Sequence, residues 1–202
     1  MARVTAEKVL QTKVGILEAA NEVLQDQGFA GLSTRTVAAA ANVPLSQIQY
    51  HFGSKDGMLL ALYEYMNAKL LERQHQMFDD PDLTFSQKWN LACDYLDADI
   101  ESGYVRVLQE LMAAGWSNAD MGEAVRNGLM GWVELLTGQA SRMVSSQQLD
   151  DRIDSRELAA LISAAFLGAE SAILLGLEDN GVPYRQALRR LGTMIELLES
   201  RT

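Results

Sequence analysis

Apolar positions recur along the chain at three- and four-residue intervals, the spacing that gathers side chains on one face of an α-helix. Alternating β-branched runs and Asn-Gly hairpin signals are both missing, so the pattern predicts an all-α protein. Ile16, Leu17, Ala20, Val23 and Leu24 form the apolar stripe of a first helix, expected from about Ala6 to Gln27. Gly28 stands where a left-handed residue closes such a helix, and Phe29 follows to pack back on its last turn. Ser33 suits the N-cap of a short second helix, Thr34 to Ala41. Asn42 occupies the next turn, where a positive φ is expected and Asn is the best choice after Gly. A third short helix runs from Pro44, acceptable in a first turn, to Phe52. Ser54 then caps a fourth helix that reaches about Phe78.

Past Asp79-Asp80-Pro81 the predicted helices lengthen. Thr84 caps one that runs to about Ser102, where Gly103 breaks it, and Tyr104 to Ala114 forms the next, ended by Gly115. Another spans about Asn118 to Ser145, followed by a polar loop from Ser145 to Asp151. Asp154 and Glu157 have capping-box spacing and open an Ala- and Leu-rich helix to about Asn180. Gly181 ends it, and Pro183 starts a last helix that reaches Ser200.

Two short helices joined by a tight turn, after a longer supporting helix, make a helix-turn-helix, whose second helix is of a size to enter a major groove. Val37, Ala38 and Ala41 would face Val43, Ile48 and Phe52 across the motif. Leu45, Ser46, Gln47, Gln49, Tyr50 and His51 are left for the outside, and Gln is well shaped for a bidentate bond to adenine. Leu45 has two readings, packing beside Ile48 or meeting a thymine methyl.

The charge balance first argues against nucleic acid and then locates it. Seventeen basic and 27 acidic residues give a net charge of −10. Residues 1–57 carry five of each sign, so the whole excess lies beyond them and any DNA contact must come from the N-terminal part. The single Cys93 excludes an internal disulfide, and a reducing cytoplasm is the simplest location. No secretory signal is visible at the N-terminus. From Leu158 to Leu177 only Glu170 is charged, a length that could span a bilayer. The richness in Ala and Ser, with Gly168 and Gly176 and no aromatic or basic anchors, favours a buried interface helix, so no membrane partner is expected.

The run ILEAANEVLQDQGFAGLSTRTVAAAANVPLSQIQYHFGSKDGM, Ile16 to Met58, resembles the N-terminal domain of the TetR family. It covers about a fifth of the chain and closes on His51-Phe52-Gly53-Ser54-Lys55, the family's His-Phe-x-x-Lys pattern. Asn42, Pro44, Leu45 and Gln49 depart from the family's usual residues. The resemblance implies a DNA-binding domain over residues 1–53 and a helical effector-binding and dimerisation domain over 54–202. It places Thr34, Arg35 and Thr36 near backbone and groove, and Leu45, Ser46, Gln47 and Gln49 on the recognition helix. Tyr50 and His51 would reach phosphates or bases, and Lys55 would grip a phosphate at a helix N-terminus. It further implies a homodimer through Arg156–Asn180 and Tyr184–Ser200. Small residues (Ala160, Ala164, Ala165, Gly168, Ala169, Ala172, Gly176) would allow close approach, and Leu188, Leu191, Ile195 and Leu198 would face them. The expected function is a ligand-released repressor on a near-palindromic operator of double-stranded DNA. Its alternatives are an activator, or a ligand-binding bundle whose head does not bind DNA.

Candidate chemistry adds little beyond this. His51, His75 and Cys93 include no pair at metal-ligand spacing, and no catalytic constellation or cofactor motif can be placed. Trp89, Tyr95, Tyr104, Met112, Trp116, Met130, Trp132 and Phe166 read singly as ordinary helix core. As a set they are candidates to line an apolar pocket for a small effector, with Trp89, Met112, Trp116, Trp132 and Phe166 foremost. Glu170 is the polar oddity of its helix, either an effector contact or half of an ion pair with an arginine. Asp94 and Glu110 lie on helices where they too could face inward.

Overall fold

The computed structural model describes residues 2–148 and 152–200, with side chains from residue 7 onward. Its helices are α1 (Ala2–Gly31), α2 (Thr34–Ala40), α3 (Leu45–Phe52), α4 (Lys55–Asp79), α5 (Phe85–Glu101), α6 (Tyr104–Gly115), α7 (Ala119–Ser146), α8 (Ser155–Leu174) and α9 (Tyr184–Glu199). A 3-10 turn, Glu178–Asn180, lies between the last two, and no strand occurs among the described residues.

The punctuation is where the sequence puts it. Gly28 has φ 67° and ψ −176°, a conformation open essentially to glycine alone, and helical backbone resumes only briefly to Gly31. Ser33 caps α2 reciprocally. The Thr36 N–H donates to Ser33 Oγ at 3.1 Å, and the Ser33 N–H donates to Thr36 Oγ1 at 2.9 Å. Asn42 takes φ 51° in the turn before α3. Asp154 Oδ1 accepts the N–H groups of Arg156 and Glu157 at 2.8 and 2.9 Å, closing the start of α8.

The chain divides into two compact units. One comprises residues through Ala68 with Glu101–Ala124, the other Lys69–Ile100 with Val125 onward, and α4 and α7 contribute to both. In the first, α1 packs on α2 and α2 on α3. Ile16, Leu17, Ala20, Val23 and Leu24 are all buried, together with Val37, Ala38 and Ile48. Ala41, Val43 and Phe52, expected on the same inner side, are half-buried.

In the second unit, Cys93, Leu96, Phe166, Ala169 and Leu188 form one core, and Met77, Phe78, Leu136 and Ala159 another. Glu199, in the last turn of α9, reaches back to the start of α5. Its carboxylate accepts the Phe85 N–H at 2.6 Å and the Ser86 hydroxyl at 2.6 Å, supplementing the predicted cap at Thr84.

Three expectations are corrected. α8 stops at Leu174 and not at Asn180, because Gly176 turns at φ 73°. The Leu177 N–H then closes on Ala172 O and the Gly176 N–H on Ile173 O, the paired bonds of a Schellman ending. The interface stripe also changes, since Leu188 (5% exposed), Ala169 and Ala172 are buried within this chain's own core. The loop expected from Ser145 shortens because α7 continues to Ser146, and residues 149–151 of that loop lie outside the described residues. Ser155–Leu174 is long and apolar enough to cross a bilayer by length and composition alone, yet Glu170 sits on its buried side.

Candidate nucleic-acid interface

α3 carries the site. Ile48, 1% exposed, anchors it against the underlying helices, and that single inward residue fixes which side faces out. Ser46, Gln49 and Tyr50 are exposed, Tyr50 by 72%, while Gln47 is half-buried. Leu45 is 46% exposed, so the structure turns much of it outward and away from a purely packing role. Tyr50 rests edge-on against His51 with ring centroids 5.0 Å apart, and His51 leans on Phe52 at 5.9 Å. Burial, and secondly the charge of Lys13, hold His51 below its ordinary imidazole range. It therefore offers one neutral N–H donor and one acceptor at neutral pH.

The flanking residues are placed in the same unit. Arg35 is exposed on α2, and Thr34 is half-buried at its first position. Thr36 has its hydroxyl engaged inside the α2 cap, accepting from Ser33 and lying 2.9 Å from Gly31 O. Its contribution is thus to shape the motif. Lys55 is exposed as the first residue of α4, with Nζ 5.5 Å from the Phe29 ring centroid. Sequence reasoning passed over Lys13, whose ammonium lies 5.9 Å from the Phe52 ring centroid at the end of α3.

The six candidate effector residues do not form one group. Trp89, Trp132 and Phe166 come together, with Phe166 edge-to-face against both indoles at 5.6 and 5.8 Å. Both indole N–H groups are engaged. Trp89 donates to Leu188 O at 2.7 Å and Trp132 to Gln74 Oε1 at 2.8 Å, the latter a buried partner that periodicity does not mark. Glu170 is 8% exposed, one helical turn beyond Phe166. Met112 and Trp116 belong to the other unit, and Trp116 is 87% exposed in the turn after α6, so it is no core or pocket residue of this chain.

Asp94 and Glu110 are likewise exposed, Asp94 pairing with Arg189 at 2.7 Å. Cys93, beside Phe166, has its thiol pushed up to about 11 by burial, which leaves it a small apolar filler. A cavity of about 440 Å³ near the start of α5 involves Thr84, Phe85, Lys88, Arg142, Gln147 and Glu199, and none of the six candidates lines it. Lys88 there donates to Phe78 O at 2.7 Å, and burial with the nearby Arg142 charge lowers its ammonium below the usual range.

A buried anchor, a polar outer face and an Asn-centred turn, set on a long supporting helix, define a helix-turn-helix protein whose other elements are also helical. Residues 16–62 match the family model for bacterial regulatory proteins of the tetR family. The likeness to the tetR family is carried by that domain, less than a quarter of the chain. It is 28% identical over 136 residues to the HTH-type transcriptional regulator CymR of Pseudomonas putida, a match spanning 65% of this chain and 63% of that relative. The chain thus spans less than two thirds of that relative's length. A TetR transcription regulator from Haloarcula marismortui superposes with a TM-score of 0.73 at 15% identity, covering 92% of this chain and 96% of that one. The regulator FadR of Bacillus subtilis, solved with stearoyl-CoA, gives 0.69 at 21% identity over 92% and 96%. At these identities the structures share the fold.

Proposed function

We propose that this chain is a cytoplasmic, DNA-binding transcription regulator that works as a homodimer and is released from its operator by a small-molecule effector. The observation that carries the reading is the face of α3. Leu45, Ser46, Gln49 and Tyr50 project from a helix locked from behind by Ile48, and they include donors and acceptors suited to base edges. Gln47 and His51 border that face, Thr34, Arg35 and Lys55 flank it for the backbone, and Thr36 holds α2 in place. The functional boundary falls at residue 53, where the recognition helix ends.

Dimerisation is supported by the outward sides of α8 and α9. Ala160, Leu161, Ala164, Ala165 and Gly168 leave a flat apolar strip on α8, and Leu191, Met194, Leu197 and Leu198 are exposed on α9. The alanines and Gly168 of that strip are small enough to permit a facing helix to approach closely. For the effector, Trp89, Trp132, Phe166 and Glu170 are the candidate contacts. That FadR, a protein of similar fold, was solved with stearoyl-CoA supports small-molecule control here. A ligand needs only unequal affinity for two arrangements of the dimer, and coupling of about 1–3 kcal/mol is typical.

The test is selection of bound duplexes from a random pool, then a salt titration on the enriched sequence. A near-palindromic site, bound less tightly as salt rises and lost with Gln49→Ala plus Tyr50→Ala, is the expected result. The second reading is a ligand-binding bundle whose head does not bind DNA, favoured by the acidic balance of residues 16–62. A pool from which nothing is enriched at low salt is its signature.

A further inference from the structure

The charge of the head is unevenly placed. Residues 16–62, which carry the helix-turn-helix, hold Arg35 and Lys55 against Glu18, Glu22, Asp26 and Asp56. The fifteen residues before them hold Arg3, Lys8 and Lys13 against Glu7. A block that is net negative lacks the phosphate neutralisation that supplies most non-specific affinity for DNA. The compensating charge lies just upstream, on the same helix α1.

One of those cations, the half-buried Lys13, lies at the C-terminal end of α3. Lys13 Nζ stands 5.9 Å from the ring of Phe52, the last residue of α3, and its charge acts on His51, the residue before. His51 in turn packs against the exposed ring of Tyr50. Among the described residues no carboxylate lies within ion-pair distance of Lys13. The contact with Phe52 is at the outer limit of cation–ring attraction and uses none of the three ammonium donors. α1 is also a firm mount, since Ile16 and Leu17, three and four residues on, are buried.

We propose that Lys13 is a DNA-phosphate contact of this head, lying outside the family-matching block and supplying charge that the block lacks. The inference rests on the DNA-binding reading above. It separates two tasks: α3 reads sequence, and α1 contributes sequence-independent attraction.

The experiment compares the intact protein with Lys13→Gln, Lys13→Met and Lys13→Arg on the enriched duplex across a salt series. Removing the charge is expected to weaken binding roughly ten- to a hundredfold at low salt, with a plot of log K against log salt shallower by about 0.9 for each bound head. Sequence preference should stay unchanged. Lys13→Arg should restore both affinity and slope. Lys13→Met keeps the aliphatic stem over Phe52, so a packing role would survive it while a phosphate contact would not. An unchanged salt slope in Lys13→Gln and Lys13→Met, with Gln49→Ala still impaired, overturns the proposal and leaves the DNA-binding reading standing. Failure of the unaltered protein to bind any duplex overturns both.

Discussion

Helices α3 and α8 each leave one face uncovered by this chain, and the two faces differ in kind. On α3 the uncovered side is mostly polar, with Ser46, Gln49 and Tyr50 beside a single leucine. On α8, past Arg156 and Glu157 in the first turn, it is Ala160, Leu161, Ala164, Ala165 and Gly168, a stretch with no hydrogen-bonding side chain. Both helices are seated by buried residues behind, Ile48 in one case and Ala159, Phe166 and Ala169 in the other. The contrast assigns their partners by chemistry. A face that offers donors and acceptors suits base edges and phosphates, whereas a small, flat apolar strip suits another protein surface of the same kind.

The largest expected effect tests the α8 side of this comparison. Leu161→Asp with Ala164→Asp places charge in the strip, and should shift the protein from dimer to monomer in sedimentation while helicity is kept. Burying unpaired carboxylates costs several kcal/mol, so dimer association should weaken by at least about a hundredfold. A dimer that survives the pair of changes would mean that α8 is not the interface.

On α3, inner and outer residues should separate cleanly. Ile48→Ala empties a fully enclosed position and should lower unfolding stability by about 2–5 kcal/mol in denaturant titration. Gln49→Ala and Tyr50→Ala should instead leave stability within about 0.5 kcal/mol while each loses roughly 1–3 kcal/mol of operator binding. If the outer pair unfolds the head, its face is structural and the assignment to DNA is wrong.

Smaller still is the cap on which α2 depends. Ser33→Ala removes the acceptor of the Thr36 N–H and should cost about 1 kcal/mol of stability, with a parallel loss in binding if α2 positions α3.

The smallest effect is on pH. His51 is held below its ordinary value, so on acidification the unfolded chain takes up this proton before the folded one. Stability should therefore fall as pH drops through about 6.5 toward the folded value, and His51→Gln should flatten that part of the curve.

What could be read from the sequence was local. Gly28, Ser33, Asn42 and Asp154 act on backbone within a few residues of themselves, so their roles show without the fold. The early end of α8 was hidden because Leu175 and Leu177 continue an apolar pattern across a glycine that also fits a close-packed helix. Trp116 groups with the core aromatics by residue type alone; Gly115 marks the end of α6 in the sequence, but not which way a side chain in the following turn points.

Long-range bonds were out of reach altogether. Glu199 on Phe85 and Ser86, and Gln74 under Trp132, join residues more than fifty positions apart. Orientation was the other gap. Periodicity puts Leu188 and Leu191 on one helix, but only the fold sends the first inward and leaves the second 39% exposed.

The measurement that bears most directly on the account is hydroxyl-radical footprinting of the intact protein on the enriched duplex. Two symmetric protected patches on one face of the duplex, one helical turn of about 34–36 Å or a multiple of it apart, are the predicted result for paired recognition helices. A single asymmetric patch, or none at a salt concentration where binding is measurable, would contradict a dimer reading its operator through α3.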